Sequence, residues 1–139
     1  MGIGNTLKSD DGVGPFIIKE LNDINSNNLV LVDAATAPEN FTGFIKSEKP
    51  SHIIIIDATL MDEKHGHIGI FNKEDFGNVN MSTHSMNLSV LIRYLEQNNL
   101  FKILFIGIQP ESLDFSLELS DIVKKSSYEL IDMLKSFFI

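Results

Sequence analysis

Three side chains in this sequence, those of Asp11, Asp57 and His84, have the chemistry of a metal site. Two carboxylates and one imidazole bind divalent transition metals such as zinc, nickel, manganese and iron, and geometry decides among them. Three protein ligands also leave coordination positions open, which a catalytic or substrate-recognising site requires. The three residues are far apart along the chain, so the fold has to bring them together.

The same residues also have ordinary structural interpretations. Asp10 and Asp11 are adjacent in the glycine-rich segment "GNTLKSDDGVG", where either carboxylate can cap the following helix. The doublet is consistent with one acid capping the helix while the other faces a ligand. Asp57 can simply be the polar end of a strand, and His84, in "STHSMNLS", stands just before a helical pattern. For the other three histidines we expect surface or turn positions: His52, His65 and His67.

Short continuous apolar runs indicate strands that are buried on both faces. The convincing ones are "LVLVD" (residues 29–33), "HIIIID" (52–57) and "KILFIGI" (102–108). A weaker alternation in "HIGIF" (67–71) indicates an edge strand, and "MGIG" holds only residues 1–3 of a shortened first strand. Strands that alternate with helices predict a single α/β domain over residues 1–139, with three layers and a twisted, mostly parallel sheet of about five strands flanked by helices.

Apolar residues at helical spacing mark three longer helices, and a shorter helix is expected within residues 39–46. Ser120 is placed to cap the last of the three. The residues expected to face the core are Val13, Phe16, Ile17 and Leu21 in the first helix, Leu88, Leu91, Ile92 and Leu95 in the second, and Ile122, Val123, Leu130 and Leu134 in the third.

The position of the acids relative to the strands indicates where a site would form. Asp33 and Asp57 end strands, and Asp11 lies in the loop after the first strand. In open α/β sheets the carboxyl ends of the strands border the ligand crevice. A strand order of 2-1-3-4 places the first and third strands side by side, so that Asp11 and Asp57 would meet at that edge.

Composition argues against several other classes of protein. The 139 residues carry a formal charge of −8, which disfavours binding to nucleic acid or to anionic membranes, and no apolar run is long enough to span a bilayer. Cysteine is absent, which removes disulfides, zinc–thiolate sites and cysteine nucleophiles and fits a cytoplasmic protein. The chain has no G-x-S-x-G elbow and no P-loop, and Leu7 stands where a dinucleotide fingerprint needs its third glycine.

Five motifs follow one another along the chain: "GIGN…DDGVG", "VDAATAPEN", "IIDATLM", "STHSMNLSVLI" and "FIGIQP". In this order they resemble the hydrogenase maturation endopeptidases, and most closely the branch that processes the large subunit of hydrogenase 3. The resemblance covers residues 2–110, with the final helix also in place. It implies a compact α/β fold with a twisted central sheet. It also implies one reaction, the removal of a short C-terminal extension from a hydrogenase large subunit after nickel has been inserted.

By motif, the resemblance assigns the family's acidic residue, aspartate and histidine to Asp11, Asp57 and His84. With Asp11 assigned as a ligand, we expect Asp10 to be the helix cap. In the family these groups contact nickel that the substrate brings, so that the metal reports an installed cofactor. For the reaction, polarisation of the scissile carbonyl or activation of water by nickel stays open beside general-base help from Asp11 or Asp57. The family is classified as aspartic-type. We expect a monomer whose partner is the [NiFe]-hydrogenase large-subunit precursor.

Two features depart from the family pattern. The first strand is shorter than usual before "GIGN", and Ala34 and Ala35 stand where many members have two glycines. Alanine has less backbone freedom, so the approach of substrate can differ there. Two alternatives stay open: a nickel-checking chaperone that holds the precursor without cutting it, and a nucleotide-binding protein. The choice between an energy-conserving and a deazaflavin-reducing hydrogenase is expected to lie in surface loops such as residues 61–66 and 75–81.

Overall fold

The computed structural model describes residues 1–76, 82–97 and 101–138. The strands are β1 (His52–Ala58), β2 (Ile68–Asn72) and β3 (Lys102–Ile108). The helices are α1 (Val13–Glu20), α2 (Thr42–Glu48), α3 (Lys73–Phe76), α4 (Ser85–Glu96) and α5 (Asp121–Phe138), and 3-10 turns at Ser9–Gly12 and Pro38–Phe41 come just before α1 and α2. This alternation confirms the α/β fold class. No helix within the described ranges has the length and apolar character needed to cross a membrane.

The three-stranded sheet has the order β1-β3-β2, with β3 at its centre. β3 runs parallel to β1, in a register from His52↔Lys102 to Ala58↔Ile108, and antiparallel to β2. β1 and β3 are buried along most of their length because helices cover both of their faces. β2 begins at Ile68 and is half exposed, and it is the edge strand that the weaker alternation predicted.

The first residues of the chain lie beside β1, as an order of 2-1-3 requires. Gly2 forms parallel bridges to Ile56 of β1 on one side and to Asp33 on the other. These bridges place the loop that follows residue 3 at the carboxyl end of β1, where Asp57 lies.

Two details of the predicted sheet are wrong: the described residues form three strands and not about five, and residues 29–33 do not form a strand. Pairing explains the difference, because an apolar segment becomes a strand only when a neighbour exchanges hydrogen bonds with it. The neighbour of this segment is the short stretch 1–3, in which the amide of Gly2 donates to the carbonyl of Val32 (2.8 Å). Val30 is left 52% exposed as a result.

Two apolar clusters, one on each face of the sheet, form the core and confirm the three-layer arrangement. α2 and α4 cover one face with Ile45, Leu88, Leu91 and Leu95, and α1 and α5 cover the other with Val13, Ile17, Leu21, Val123, Leu130 and Leu134. Ile122 was also predicted to face the core, but it is 39% exposed in the first turn of α5.

α1 packs against the start of the sheet through Gly14. A Cβ atom at this position would lie 2.6 Å from the carbonyl oxygen of Ile56 and would overlap the backbone of Ile3. The helix could therefore not keep its place if residue 14 carried a side chain. Because the loop with Asp11 leads directly into α1, this close packing also holds the loop at the end of β1.

We predict that Gly14→Ala lowers the free energy of unfolding by about 1–3 kcal/mol, the usual cost of overpacking a tight contact. Gly43→Ala is the matched control, because Gly43 lies in α2 with nothing within 4 Å of an added Cβ atom. Replacing a helical glycine there should leave stability unchanged or raise it by up to about 1 kcal/mol. Urea unfolding followed by circular dichroism measures both variants, and equal stabilities would contradict the packing of Gly14.

Candidate active site

The three side chains predicted to form a site meet at the carboxyl end of β1. His84 Nε2 lies 3.6 Å from Asp11 Oδ2, and His84 Nδ1 lies 3.4 Å from Asp57 Oδ1. Asp11 is 5% exposed and Asp57 is 3% exposed, so both carboxylates are buried. Each of the three residues offers one ligand atom, and these atoms all lie within 4.8 Å of one another, the one such cluster in the described part of the chain.

Asp11 is held toward the site by the turn that leads into α1. Its Oδ2 accepts a hydrogen bond from the amide of Asn5 (3.1 Å), and its own amide donates to the carbonyl of Lys8 (3.1 Å). Gly4 packs so closely against this turn that a Cβ atom there would overlap the carbonyl oxygen of Asp11. The glycine therefore lets the loop close on itself, with the Asp11 carboxylate facing His84.

Asp57 and His84 are joined through the hydroxyl groups of Ser82 and Thr83. Ser82 Oγ donates to Asp57 Oδ2 and accepts from the backbone amide of His84 (3.0 Å). Thr83 Oγ1 lies 2.9 Å from His84 Nδ1 and 3.4 Å from Asp57 Oδ1. These contacts tie the start of α4 to the end of β1 and leave Asp57 Oδ1 on the side of the imidazole.

Ser82 and Thr83 are site residues that sequence reasoning missed. They belong to the motif "STHSMNLS", but serine and threonine before a helix are common as caps. Nothing in their type indicates a carboxylate partner, which for Ser82 stands 25 positions away. Their position directly before His84 is the one signal in the sequence that could have suggested a role beside the imidazole.

The electrostatics of the site couple Asp57 to His84. Burial raises the pKa of Asp57 above its ordinary value. The hydrogen bond and charge of His84 and the hydrogen bond of Ser82 offset only part of this increase. Burial also acts to lower the pKa of His84, but the hydrogen bond and charge of Asp57 and the charge of Asp11 outweigh it, so the pKa of His84 is raised. Lys8 opposes that increase through its positive charge. The two carboxylates thus favour the protonated form of His84.

We predict that His84 titrates above the ordinary histidine pKa of 6.5 in the metal-free protein, and that Asp57→Asn lowers this pKa. Because the folded-state pKa exceeds the unfolded one, protonation of His84 contributes stability that is complete below about pH 6.5 and is lost as the pH rises through the folded-state pKa. NMR titration of the imidazole rings measures this. A His84 titration that Asp57→Asn leaves unchanged would show that the two groups are not coupled.

Asp10 does not cap the following helix, contrary to the prediction, since neither the 3-10 turn nor α1 has a side-chain cap. Its side chain is 0% exposed and accepts hydrogen bonds from the amides of Glu111 (2.8 Å), Ser112 (3.0 Å) and Ser120 (2.7 Å). Ser120, the residue before α5, also donates its hydroxyl hydrogen to Asp10 (2.8 Å). Asp10 therefore joins the loop of Asp11 to both ends of the segment 111–120.

We predict that Asp10→Ala lowers the free energy of unfolding by about 3 kcal/mol or more, because three amides and a hydroxyl lose their common acceptor. Asp33→Ala is the control. Asp33 is exposed and accepts a hydrogen bond from the amide of Ala35 (2.9 Å), so its removal should cost less than about 1 kcal/mol. Urea unfolding compares the two variants, and losses of similar size would contradict the structural role of Asp10.

Other residues considered from the sequence lie outside the site. Asp33 closes a turn through its bond to the amide of Ala35 and faces solvent. Ala35 takes a φ of 46°, a left-handed conformation that costs about 1 kcal/mol in a residue other than glycine. The remaining histidines are exposed, as predicted: His52, His65 and His67.

The first of the two loops expected to select the substrate, residues 61–66, is anchored at the end of β3. Gln109 Oε1 accepts a hydrogen bond from the amide of Met61 (2.7 Å), and the carbonyl of Gln109 accepts one from the amide of Gly66 (2.8 Å). Most of the second loop, residues 77–81, lies outside the described residues. Gln109 is thus a further buried polar residue at this end of the sheet that the apolar pattern of β3 does not reveal.

The arrangement can offer a divalent cation two carboxylate oxygens and one imidazole nitrogen, provided that the ligating nitrogen of His84 carries no proton. It does not have the geometry of a serine nucleophile with a histidine base. Ser82 contacts the backbone amide of His84 and not its ring, and the hydroxyl hydrogen of Ser82 is directed to Asp57. The chemistry that the site can perform therefore depends on its carboxylates and its imidazole.

Comparison with known proteins gives one consistent family. Residues 15–136 match the family model described as hydrogenase maturation protease. A Methanocaldococcus jannaschii protein named for these proteases is 40% identical over 142 residues, 96% of this chain and 83% of the relative. The hydrogenase 3 maturation protease of Escherichia coli is 32% identical over 123 residues, 88% of this chain and 78% of the relative. The solution structure of the Escherichia coli endopeptidase HycI has a TM-score of 0.83 at 27% identity and covers 98% of this chain and 87% of that one. The chain therefore belongs to the hydrogenase maturation protease family.

Proposed function

We propose that this protein is the endopeptidase that removes the C-terminal extension from the large-subunit precursor of a [NiFe] hydrogenase once nickel has been inserted. The observation that carries the proposal is the convergence of Asp11, Asp57 and His84, whose ligand atoms lie within 4.8 Å of one another in a member of this protease family. Similarity to the hydrogenase 3 maturation protease of Escherichia coli favours a substrate of that type.

The donor set fits nickel that arrives as part of the substrate. Carboxylate oxygens and an imidazole nitrogen bind divalent nickel, and three protein ligands leave positions for groups of the substrate itself. Two carboxylates face a single imidazole, so the site carries an excess of negative charge that a cation can balance. Nickel in this proposal belongs to the precursor and is not a resident cofactor of the protease.

The proposed roles follow from the contacts of each side chain. Asp11 and Asp57 supply carboxylate oxygens and His84 supplies a ring nitrogen, while Ser82 holds Asp57 Oδ2 and leaves Oδ1 on the side of the site. Bound nickel would supply Lewis acidity to the scissile carbonyl or to a water molecule. A cation lowers the pKa of a carboxylate that binds it and so makes that carboxylate a weak base. Only a carboxylate that does not bind the metal could therefore act as general base. As the resemblance to the family implies, we place the enzyme among the aspartic-type peptidases.

The proposal also includes the setting in which the enzyme works, as a monomer in the cytoplasm. A cysteine-free chain is compatible with a reducing compartment. The formal charge of −8 disfavours nucleic acid and anionic membranes as partners and leaves the precursor protein as the expected one.

We predict that Asp11→Ala, Asp57→Ala and His84→Ala each slow cleavage of a nickel-loaded precursor by about 10²–10⁴-fold, because each removes a group that contacts the metal or moves a proton. The wild-type protein should leave a nickel-free precursor intact. Mass spectrometry of the precursor detects the loss of its C-terminal peptide.

His52→Ala is the matched control for this experiment. His52 is exposed at the start of β1, at the opposite end of the strand from Asp57, so its removal should leave the cleavage rate unchanged. Normal cleavage by a correctly folded Asp57→Ala protein would refute the proposed site. Tight binding of the precursor by the wild-type protein without any cleavage would instead identify a nickel-checking chaperone.

A further inference from the structure

The segment 111–120 runs along the loop that carries Asp11. Lys8 and Ser116 form a parallel bridge, and the amide of Ser9 donates to the carbonyl of Ser116 (2.8 Å). The segment therefore lies beside the loop that leads to the proposed active site, although none of its residues contributes a ligand atom to the cluster.

Three large apolar side chains along this pairing face solvent. Phe115 is 84% exposed, Leu117 is 80% exposed and Leu7 is 47% exposed. Phe115 and Leu117 flank Ser116, and the parallel bridge between Lys8 and Ser116 sets Leu7 beside Phe115. These three residues are called the loop patch below. Neighbouring apolar side chains that a folded protein leaves in water mark a surface for contact with a partner.

The loop patch is carried by a segment whose two ends are clamped by one buried carboxylate. Asp10 accepts the amides of Glu111 and Ser112 at one end and the amide and hydroxyl of Ser120 at the other. A surface held in one conformation before binding loses less conformational entropy when a partner arrives. Because Asp10 and Asp11 are consecutive, the same turn sets the position of the loop patch relative to the proposed active site.

We infer that the loop patch is the docking surface for the precursor protein, an inference that rests on the proposed function. The loop patch lies along the loop of residues 7–11, which ends at the proposed ligand Asp11. A precursor segment that continues from the scissile bond along this loop would meet the loop patch. Apolar side chains of the precursor close to its scissile bond would pack on Phe115 and Leu117. Recognition of the substrate then has two parts, the metal at the cluster and an apolar segment beside it.

Exposed acidic side chains in the same segment indicate the charge of the partner. Asp114 and Glu118 are exposed in the same segment as Phe115 and Leu117. Opposite charges across an interface speed association and exclude partners of the wrong sign. The segment of the precursor that docks here should therefore carry lysine or arginine next to its apolar residues.

The test compares the wild-type protein with Phe115→Ser/Leu117→Ser and with Phe137→Ser. Phe137 is the matched control, since it is 75% exposed but stands in the last turn of α5. Sixteen residues of helix, about 24 Å, separate it from the start of α5, the end of the helix that follows the segment 111–120. The probe is the nickel-loaded large-subunit precursor from the same organism, with binding measured by titration and cleavage by mass spectrometry.

We expect the double serine variant to raise the Kd and KM for the precursor about tenfold or more, with kcat at saturating precursor and the melting temperature unchanged. Phe137→Ser should alter none of these quantities. Asp114→Lys/Glu118→Lys should also raise Kd, and by less at high salt because ions screen exposed charges. An unchanged KM in the double serine variant overturns the inference. So does light scattering that shows the substitutions to disrupt a dimer while precursor binding stays the same.

Binding and cleavage together separate this inference from the proposed function. If the wild-type protein binds the precursor through the loop patch but does not cut it, the endopeptidase is refuted and the docking surface is supported. If the wild-type protein and the double serine variant cut the precursor with the same KM, the endopeptidase is supported and the docking surface is refuted.

Discussion

The rest of the site depends on how the negative charge of two carboxylates, buried at the end of β1, is balanced. Asp11 and Asp57 are 5% and 3% exposed, and negative charges so placed repel each other where water screens them poorly. Positive charge beside them offsets this repulsion. The imidazole of His84 turns one nitrogen to each carboxylate, at 3.6 and 3.4 Å, and the two carboxylates raise its pKa and so favour its protonated form. In the proposed function, the nickel of the precursor would supply that positive charge.

The neighbouring Asp10 shows how a buried carboxylate is stabilised when donors of the protein itself form hydrogen bonds with it. Its two oxygens accept hydrogen bonds from three amides and one hydroxyl group. Asp11 accepts a single amide hydrogen bond, from Asn5, within the described part of the chain. A carboxylate has room for about four donors, so Asp11 keeps free acceptor capacity on the side of His84. The number of fixed donors, and not the residue type, separates the structural acid from the candidate ligand.

Local patterns were sufficient to predict most elements, because apolar continuity in β1 and β3 and helical spacing in α1, α4 and α5 are properties of single segments. Residues 29–33 have the same pattern as β1, but a strand also needs a paired neighbour, and the segment does not encode one. The position of Asp57 at the carboxyl edge of the sheet could be predicted, because this residue ends an apolar strand. The partners of Asp10 stand 101 to 110 positions away, so its role as a clamp could not be predicted from the sequence.

The site combines a strand end with two loops, and each loop is tied down by a group outside the proposed ligand set. Ser82 joins the start of α4 to Asp57, and Asp10 joins the segment 111–120 to the turn of Asp11. Nickel, zinc and iron accept similar ligands, so a protein can tell them apart only through geometry. Geometry selects only when the ligands do not adjust to each ion, which requires support from the residues around them. In the proposed enzyme, the buried clamps would be as necessary as the three ligands for recognising a correctly loaded precursor.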